Sequence, residues 1–308
     1  MTSAHVENDW MPHPKPHNGF RNLLALCLWL LPCGAALAAG AENIIAAKMP
    51  NGLTASAEFR PGKAHAPAAL ILHGFLQTRN SITLATLANS AADAGYSVLM
   101  PTLSLGVSER KQSLPCDAIH THSMNDDMAE IAFWVDWLAQ KGHGDIVLIG
   151  HSFGSLQLLA YLQQHPHHRI RQFIATSLLD LSKDTPAGIR QNLVQQARQA
   201  AAKGDNTLGE YSLTYCKKYL APAPAFLSYA EWSGPRILAA LGNATVPVTV
   251  ILGSEDRRLD ADWPSALRAA NAEVIMIKGA NHFFAADQEF DLLDTVHRLL
   301  ENTPKKNP

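Results

Sequence analysis

Charge is scarce in this chain and evenly split. Charged residues make up 17% of the 308, with 25 Lys and Arg against 27 Asp and Glu, a formal net charge of -2. The missing basic surplus excludes an electrostatic nucleic-acid binder, and the missing acidic surplus excludes an acidic disordered chain. Repeats at solenoid or propeller periods are also lacking. What is present is apolar: 47% of residues are hydrophobic, enough for a large globular core. A hydrophobic run long enough to cross a membrane is lacking as well. The best stretch, LLALCLWLL at residues 23–31, falls short of the roughly 20 apolar residues that a spanning helix needs.

That stretch reads instead as part of an export signal. Lys15 and Arg21 precede it, and Ala36-Leu37-Ala38 follows as an A-x-A processing site. Residues 1–38 are therefore expected to be a signal peptide and N-terminal extension, which sends the mature chain to the periplasm or outside the cell. Retention as an uncleaved membrane anchor is the alternative. Met11 is a second possible start, and Pro32 before Cys33 argues against a lipidation site. Cysteine is rare too, at four residues. Cys27 and Cys33 lie in the segment expected to be removed. Cys116 and Cys216 remain, a pair that permits one disulfide in an exported protein or stands as two separate buried thiols.

Past residue 42 the pattern alternates between strand and helix. Residues 43–59 read as two antiparallel strands around the turn-forming Asn51-Gly52. Short apolar runs at 68–72, 97–100, 146–149, 170–175, 246–252 and 273–277 read as buried strands. Helical spacing occupies 81–94, 123–141, 155–164 and 288–300. In the second of these, Met128, Ile131, Ala132, Val135 and Leu138 share one face. Strands alternating with helices predict an α/β fold, a doubly wound and mostly parallel sheet over residues 43–302. Residues 180–243 contain helical stretches, several prolines and glycines and no good strand. They are expected to form a helical cap, whose bulky apolar residues from Leu208 to Trp232 pack over the sheet edge.

One turn stands out. IVLIGHSFGS, residues 146–155, carries an apolar strand into G-x-S-x-G and then into a helix. Such a strand–turn–helix is a nucleophile elbow. Side chains two before and two after the serine would collide, which explains Gly150 and Gly154, and the turn lifts the Ser152 hydroxyl above the sheet. A serine hydroxyl needs a base and a carboxylate that orients the base. There are 14 histidines, so position must choose among them. His282, in KGANHFF after the strand 273–277, arrives at the same sheet edge. His151 must point elsewhere on the turn, and His165, His167 and His168 cluster at a helix end. His120 and His122 could line the site or bind metal but have no nearby carboxylate pattern. Asp256, in GSEDRRLD after the strand 246–252, is the expected acid; Glu255, Asp260, Asp262 and Asp180 are alternatives. The oxyanion donors are expected to be the N–H groups of Phe153 and, from the loop LHGFLQ, of Phe75, with Leu76 next in line.

LHGF, GHSFG, GSEDRRL and GANHFF, with the order Ser, Asp, His, resemble the α/β-hydrolase fold superfamily over roughly residues 43–302. The resemblance implies a serine hydrolase working through an acyl-enzyme on a small-molecule acyl substrate, here a carboxylic ester, with no metal or organic cofactor required. Serine at the elbow argues against the dehalogenase and epoxide-hydrolase branches. Thioesterases, peptidases and acyltransferases share the triad, and a non-catalytic binding protein could share the fold. THSMNDD and PTLSLG match no functional motif.

Overall fold

The computed structural model describes residues 43–304, so the export segment and Ala38 lie outside the described residues. Eight strands form the main sheet: β1 (Asn43–Lys48), β2 (Thr54–Arg60), β3 (Ala68–Leu72), β4 (Ser97–Thr102), β5 (Ile146–His151), β6 (Ile170–Thr176), β9 (Val248–Gly253) and β10 (Glu273–Ile277). Their spatial order is β1-β2-β4-β3-β5-β6-β9-β10. β1, β2 and β4 pair antiparallel and every other neighbour is parallel. The expected doubly wound, mostly parallel α/β sheet is what the chain forms.

Period-two alternation in the central strands produces two apolar faces. Leu70, Leu72, Leu148 and Phe173 point to one side, against Met128 and Trp134 of α2 (Met124–Gln140) and Leu159 of α3 (Phe153–Gln164). Ile71, Val147, Ile149 and Ile251 point to the other. There they meet Leu84 and Leu87 of α1 (Ile82–Asp93) and Leu292 and Val296 of α8 (Gln288–Glu301). Each such buried aliphatic side chain contributes about 1.5–3 kcal/mol. Helix starts are set locally. Ser123 accepts from the Asp126 N–H while the Asp126 carboxylate accepts from the Ser123 N–H, a capping box that begins α2. β4 runs two residues past its expected end, through Pro101. Its pairing with β3 stops at Leu99, so the missing proline N–H breaks no bond of that ladder.

Between β6 and β9, which pair directly through Phe173 and Val248, the chain makes an excursion. It contains a 3-10 turn (Leu181–Asp184), α4 (Ala187–Ala202), β7 (Leu208–Leu213), β8 (Cys216–Pro222), α5 (Ala223–Ala230) and α6 (Gly234–Gly242). α7 (Trp263–Ala269) follows β9. The β7–β8 hairpin corrects the strand-free reading of this region. Its alternation is broken because the register shifts between Tyr211 and Leu213, and Lys217 and Lys218 are both exposed. Its turn, Thr214-Tyr215, has no Gly, Asn or Pro to announce it; Thr214 itself adopts φ 47°.

Cys116 and Cys216 are disulfide-bonded. The bond fastens the loop after β4 to β8, beside the Ile119–Leu220 bridge and the His120 N–H to Leu220 carbonyl bond of 2.8 Å. The cysteines are 100 residues apart. Replacing both by serine is expected to cost about 2–4 kcal/mol through the released loop entropy of the unfolded chain. Urea denaturation measures it, and an unchanged midpoint would show that the cross-link adds no stability.

Candidate active site

β5 carries the chain straight into the elbow. Ser152 sits at φ 54°, ψ -118°, a region that side chains avoid and that persists only where the surroundings enforce it. The glycines permit it. A Cβ on Gly150 would lie 2.5 Å from the Ser155 Cα, and one on Gly154 would lie 2.3 Å from the His73 carbonyl oxygen. Gly154 thus lets the elbow touch the loop after β3. The Ser152 N–H donates to the Thr176 carbonyl at 2.8 Å, tying the strained turn to β6.

Loops after β9 and β10 deliver the partners. Ser152 Oγ lies 2.9 Å from His282 Nε2, and His282 Nδ1 lies 2.6 Å from Asp256 Oδ2. A carboxylate only accepts, so Nδ1 carries the proton and Nε2 is left to accept from the serine hydroxyl. The histidine backbone is pinned on both sides: Ser177 Oγ donates to the His282 carbonyl and Thr83 Oγ1 to that of Phe283. Burial, the largest influence on Asp256, opposes its charge. The His282 hydrogen bond and charge, with the Arg258 N–H and guanidinium, together outweigh burial and hold the carboxyl below the usual carboxylate range.

The alternative acids go elsewhere. Asp180 Oδ1 accepts from the Ser182 N–H and hydroxyl and caps the 3-10 turn. Asp260 pairs with Lys183, while Glu255 and Asp262 are exposed. His151 is buried behind His282, their rings 5.5 Å apart. Burial first, and then the His282 charge, pushes its ring down to about 3, so it stays neutral. His165, His167 and His168 precede β6 and lie at the opposite end of the sheet from Ser152.

The expectation that His120 and His122 lack a nearby carboxylate is corrected at His122, which Asp127 approaches. His122 Nδ1 is 3.8 Å from Asp127 Oδ1 and 2.5 Å from the Tyr229 hydroxyl. That hydroxyl donates to Asp127 Oδ2 at 2.7 Å, as does Gln157 Nε2 at 2.6 Å. Burial pushes the Asp127 carboxyl up to about 8 against the pull of these two hydrogen bonds. Tyr229 belongs to α5, Asp127 to α2 and Gln157 to α3, so this buried network locks the excursion onto the body. Among the described residues no group of three His, Cys, Asp or Glu side chains is placed to share a metal ion.

The loop after β3 borders the serine. His73 is buried; its Nδ1 donates to the Gly74 carbonyl, and its Nε2 accepts from the Leu103 N–H at 3.2 Å. These bonds tie the loop at Gly74 to the chain just past β4. The Phe75 carbonyl accepts from the Tyr215 hydroxyl at 3.1 Å, and the Phe75 and Phe153 rings meet edge to face at 4.9 Å. Neither the Phe75 N–H nor the Phe153 N–H finds an acceptor within the described residues. Ser152 and His282 open into a narrow cavity of about 40 Å³, walled by Gln77, Leu181, Thr214, Tyr215, Arg258 and Phe283. Leu181 and Thr214 also wall a neighbouring narrow cavity of about 20 Å³, lined mainly by apolar groups that include Phe153, Leu156, Phe226 and Trp232. Sequence reasoning missed Gln77, although it ends the LHGFLQ motif. It also missed Thr214, Arg258 and Asp127, for which no local pattern exists.

Comparison with known proteins bears on the fold. The sequence profile described as alpha/beta hydrolase fold matches residues 67–222, half of the chain, from before β3 to the end of β8. No curated protein sequence matches. Several solved structures are similar. The alpha/beta hydrolase GrgF from Penicillium sp. sh18 has 17% identity and a TM-score of 0.63, over 84% of this chain and 96% of that one. An esterase from Pyrococcus furiosus has 14% identity and a TM-score of 0.60, over 86% and 91%. A thermophilic esterase from Thermogutta terrifontis has 18% identity and a TM-score of 0.56, over 84% and 98%. At these identities the structures speak to the fold, and together with the family match they lead to one conclusion: the chain belongs to the alpha/beta hydrolase fold family.

Proposed function

We propose that this hydrolase-family chain is a serine hydrolase that cleaves carboxylic esters. The observation that carries the reading is the unbroken chain from Ser152 through His282 to Asp256, at 2.9 and 2.6 Å. Ser152 Oγ attacks the ester carbonyl as its proton passes to His282 Nε2. Asp256 stabilises the imidazolium that forms. The Phe75 and Phe153 N–H groups, which have no other acceptor, hold the tetrahedral oxyanion. Collapse expels the alcohol, which takes the proton from His282 and leaves an acyl-Ser152. Water then adds to the acyl carbonyl, giving a proton to His282. The acid departs as that proton returns to Ser152.

Esters are favoured over thioesters and peptides because two of the similar folds belong to esterases. The experiment is a panel of esters, thioesters and peptides with matched acyl groups, assayed with the processed protein. Preferential ester turnover supports the reading, and turnover of peptides or thioesters alone overturns it.

The apolar cavity beyond Leu181 and Thr214 is assigned to the acyl group. Trp232 forms part of its wall. Trp232→Ala is therefore expected to raise kcat/KM for a decanoate ester relative to a butyrate ester by about tenfold. A profile of ester chain lengths checks this. An unchanged profile with a lowered melting temperature would make the residue purely structural.

Export belongs to the same proposal. Disulfides persist in oxidising compartments, and the Cys116–Cys216 bond supports a periplasmic or secreted destination. Intact-mass analysis of protein recovered from its native envelope is expected to find the chain cut near Ala38. Retention of residues 23–31 would favour a membrane anchor.

A further inference from the structure

The cavity that holds Ser152 adjoins the apolar cavity assigned to the acyl group. Leu181 and Thr214 are shared with the apolar acyl cavity, so they mark the divide. Gln77, Tyr215, Arg258 and Phe283 wall only the Ser152 cavity, the space assigned to the alcohol portion of an ester. Its accessible lining is mostly apolar, and most of the polar groups in its wall are already engaged. The Tyr215 hydroxyl donates to the Phe75 carbonyl at 3.1 Å. The Arg258 guanidinium is paired with Asp184, with Nε 3.1 Å from its Oδ1. No free charge is left to attract an anion.

Two groups are not engaged. Gln77 Oε1 is buried and has no hydrogen-bond partner among the described residues, and the same holds for Thr214 Oγ1. Thr214 is only 4% exposed. It also sits at φ 47° in the hairpin turn, a costly conformation for a β-branched residue. A buried polar atom without a partner is costly to the fold and calls for a water or a bound group to complete it. Valine would fill the Thr214 position at the same volume without that penalty. Gln77 and Thr214 both line the cavity that holds Ser152, and Thr214 lines the neighbouring one as well.

Building on the ester-hydrolase reading, we infer that Gln77 and Thr214 form a subsite for a hydroxylated leaving group. The substrate class is an ester of an apolar acid with a neutral polyol. A hydroxyl of that polyol donates to Gln77 Oε1, and the Thr214 hydroxyl hydrogen-bonds the same alcohol close to the scissile bond. The pairing of Arg258 with Asp184 makes a neutral alcohol the better fit than a phosphorylated or carboxylated one.

The test compares two soluble esters with the same acyl group, glyceryl monobutyrate and propyl butyrate. The wild-type protein is expected to favour the glyceryl ester in kcat/KM by about tenfold, the range of hydrogen-bond discrimination by buried polar groups. Gln77→Leu and Thr214→Val should each move that ratio most of the way towards one. Thr214→Val should also keep or raise the melting temperature, since it removes an unmatched buried hydroxyl; a purely structural residue would change stability and leave the ratio alone. A wild-type ratio near one, or a ratio untouched in both variants, overturns the subsite while leaving the hydrolase reading intact. Failure to turn over either ester, with Ser152 unreactive towards a fluorophosphonate, sinks the hydrolase reading and this subsite with it.

Discussion

Ser152→Ala is expected to leave a folded protein whose ester turnover has dropped by at least about a thousandfold. The loss follows from chemistry rather than from packing. The Ser152 hydroxyl has one side-chain partner, His282 Nε2 at 2.9 Å, and no part of the core depends on it. The strained backbone is held by its neighbours: the Thr176 carbonyl on the Ser152 N–H, and the close approach of Gly154 to His73. Alanine keeps these contacts and removes the nucleophile. What remains is binding and the two oxyanion donors. Circular dichroism and the melting temperature should match the parent protein, so the assay isolates the chemical step. Ordinary turnover by the folded variant would remove Ser152 from the mechanism.

Asp256→Asn is expected to be about as severe, a loss of roughly a thousandfold to ten-thousandfold, through the tautomer of the histidine. Asp256 Oδ2 accepts from His282 Nδ1 at 2.6 Å, which leaves Nε2 bare towards Ser152. An amide NH2 at that position donates instead. The imidazole then keeps its proton on Nε2 and has no lone pair with which to receive the serine proton. In the proposed mechanism Asp256 is also the carboxylate that stabilises the imidazolium. Asp180→Asn is the control. Asp180 caps the turn at Leu181–Asp184, so its variant should lose some stability and keep its rate per folded molecule. Greater damage to turnover from Asp180→Asn would place the acid after β6 instead of β9.

The parts of the molecule legible in the sequence share one property: their signal is local. The central strands are buried on both faces and read as unbroken apolar runs, as at residues 146–149. The elbow is local too, because sterics demand Gly150 and Gly154 within five residues. Ser152, Asp256 and His282 could be nominated together although 130 residues separate the serine from the histidine. Each follows a parallel strand, and parallel strands deliver their carboxyl ends to one edge.

The illegible parts depend on distant pairing. Asp127 and Tyr229 are 102 residues apart, and nothing near THSMNDD says that a phenol from α5 will meet this carboxylate. The long-range partner also explains why His122 was thought to lack an acid. The β7–β8 hairpin was hidden by its shifted register and by a turn of Thr214 and Tyr215. Gln77 stood in plain view, yet its significance rests on what it lacks, a hydrogen-bond partner, and only the folded chain reveals that.

A fluorophosphonate probe tests the nucleophile most directly. It phosphonylates a serine only where a base removes the hydroxyl proton and donors hold the developing oxyanion, so one adduct reports on Ser152, His282 and the loop at Phe75 together. After labelling of the native protein and peptide mapping by mass spectrometry, a single adduct is expected on the peptide that contains Ser152. It should disappear when His282 is replaced by alanine or the protein is unfolded beforehand. A folded protein that stays unlabelled, or that takes the adduct on another residue, would contradict the assignment of Ser152 as the catalytic nucleophile.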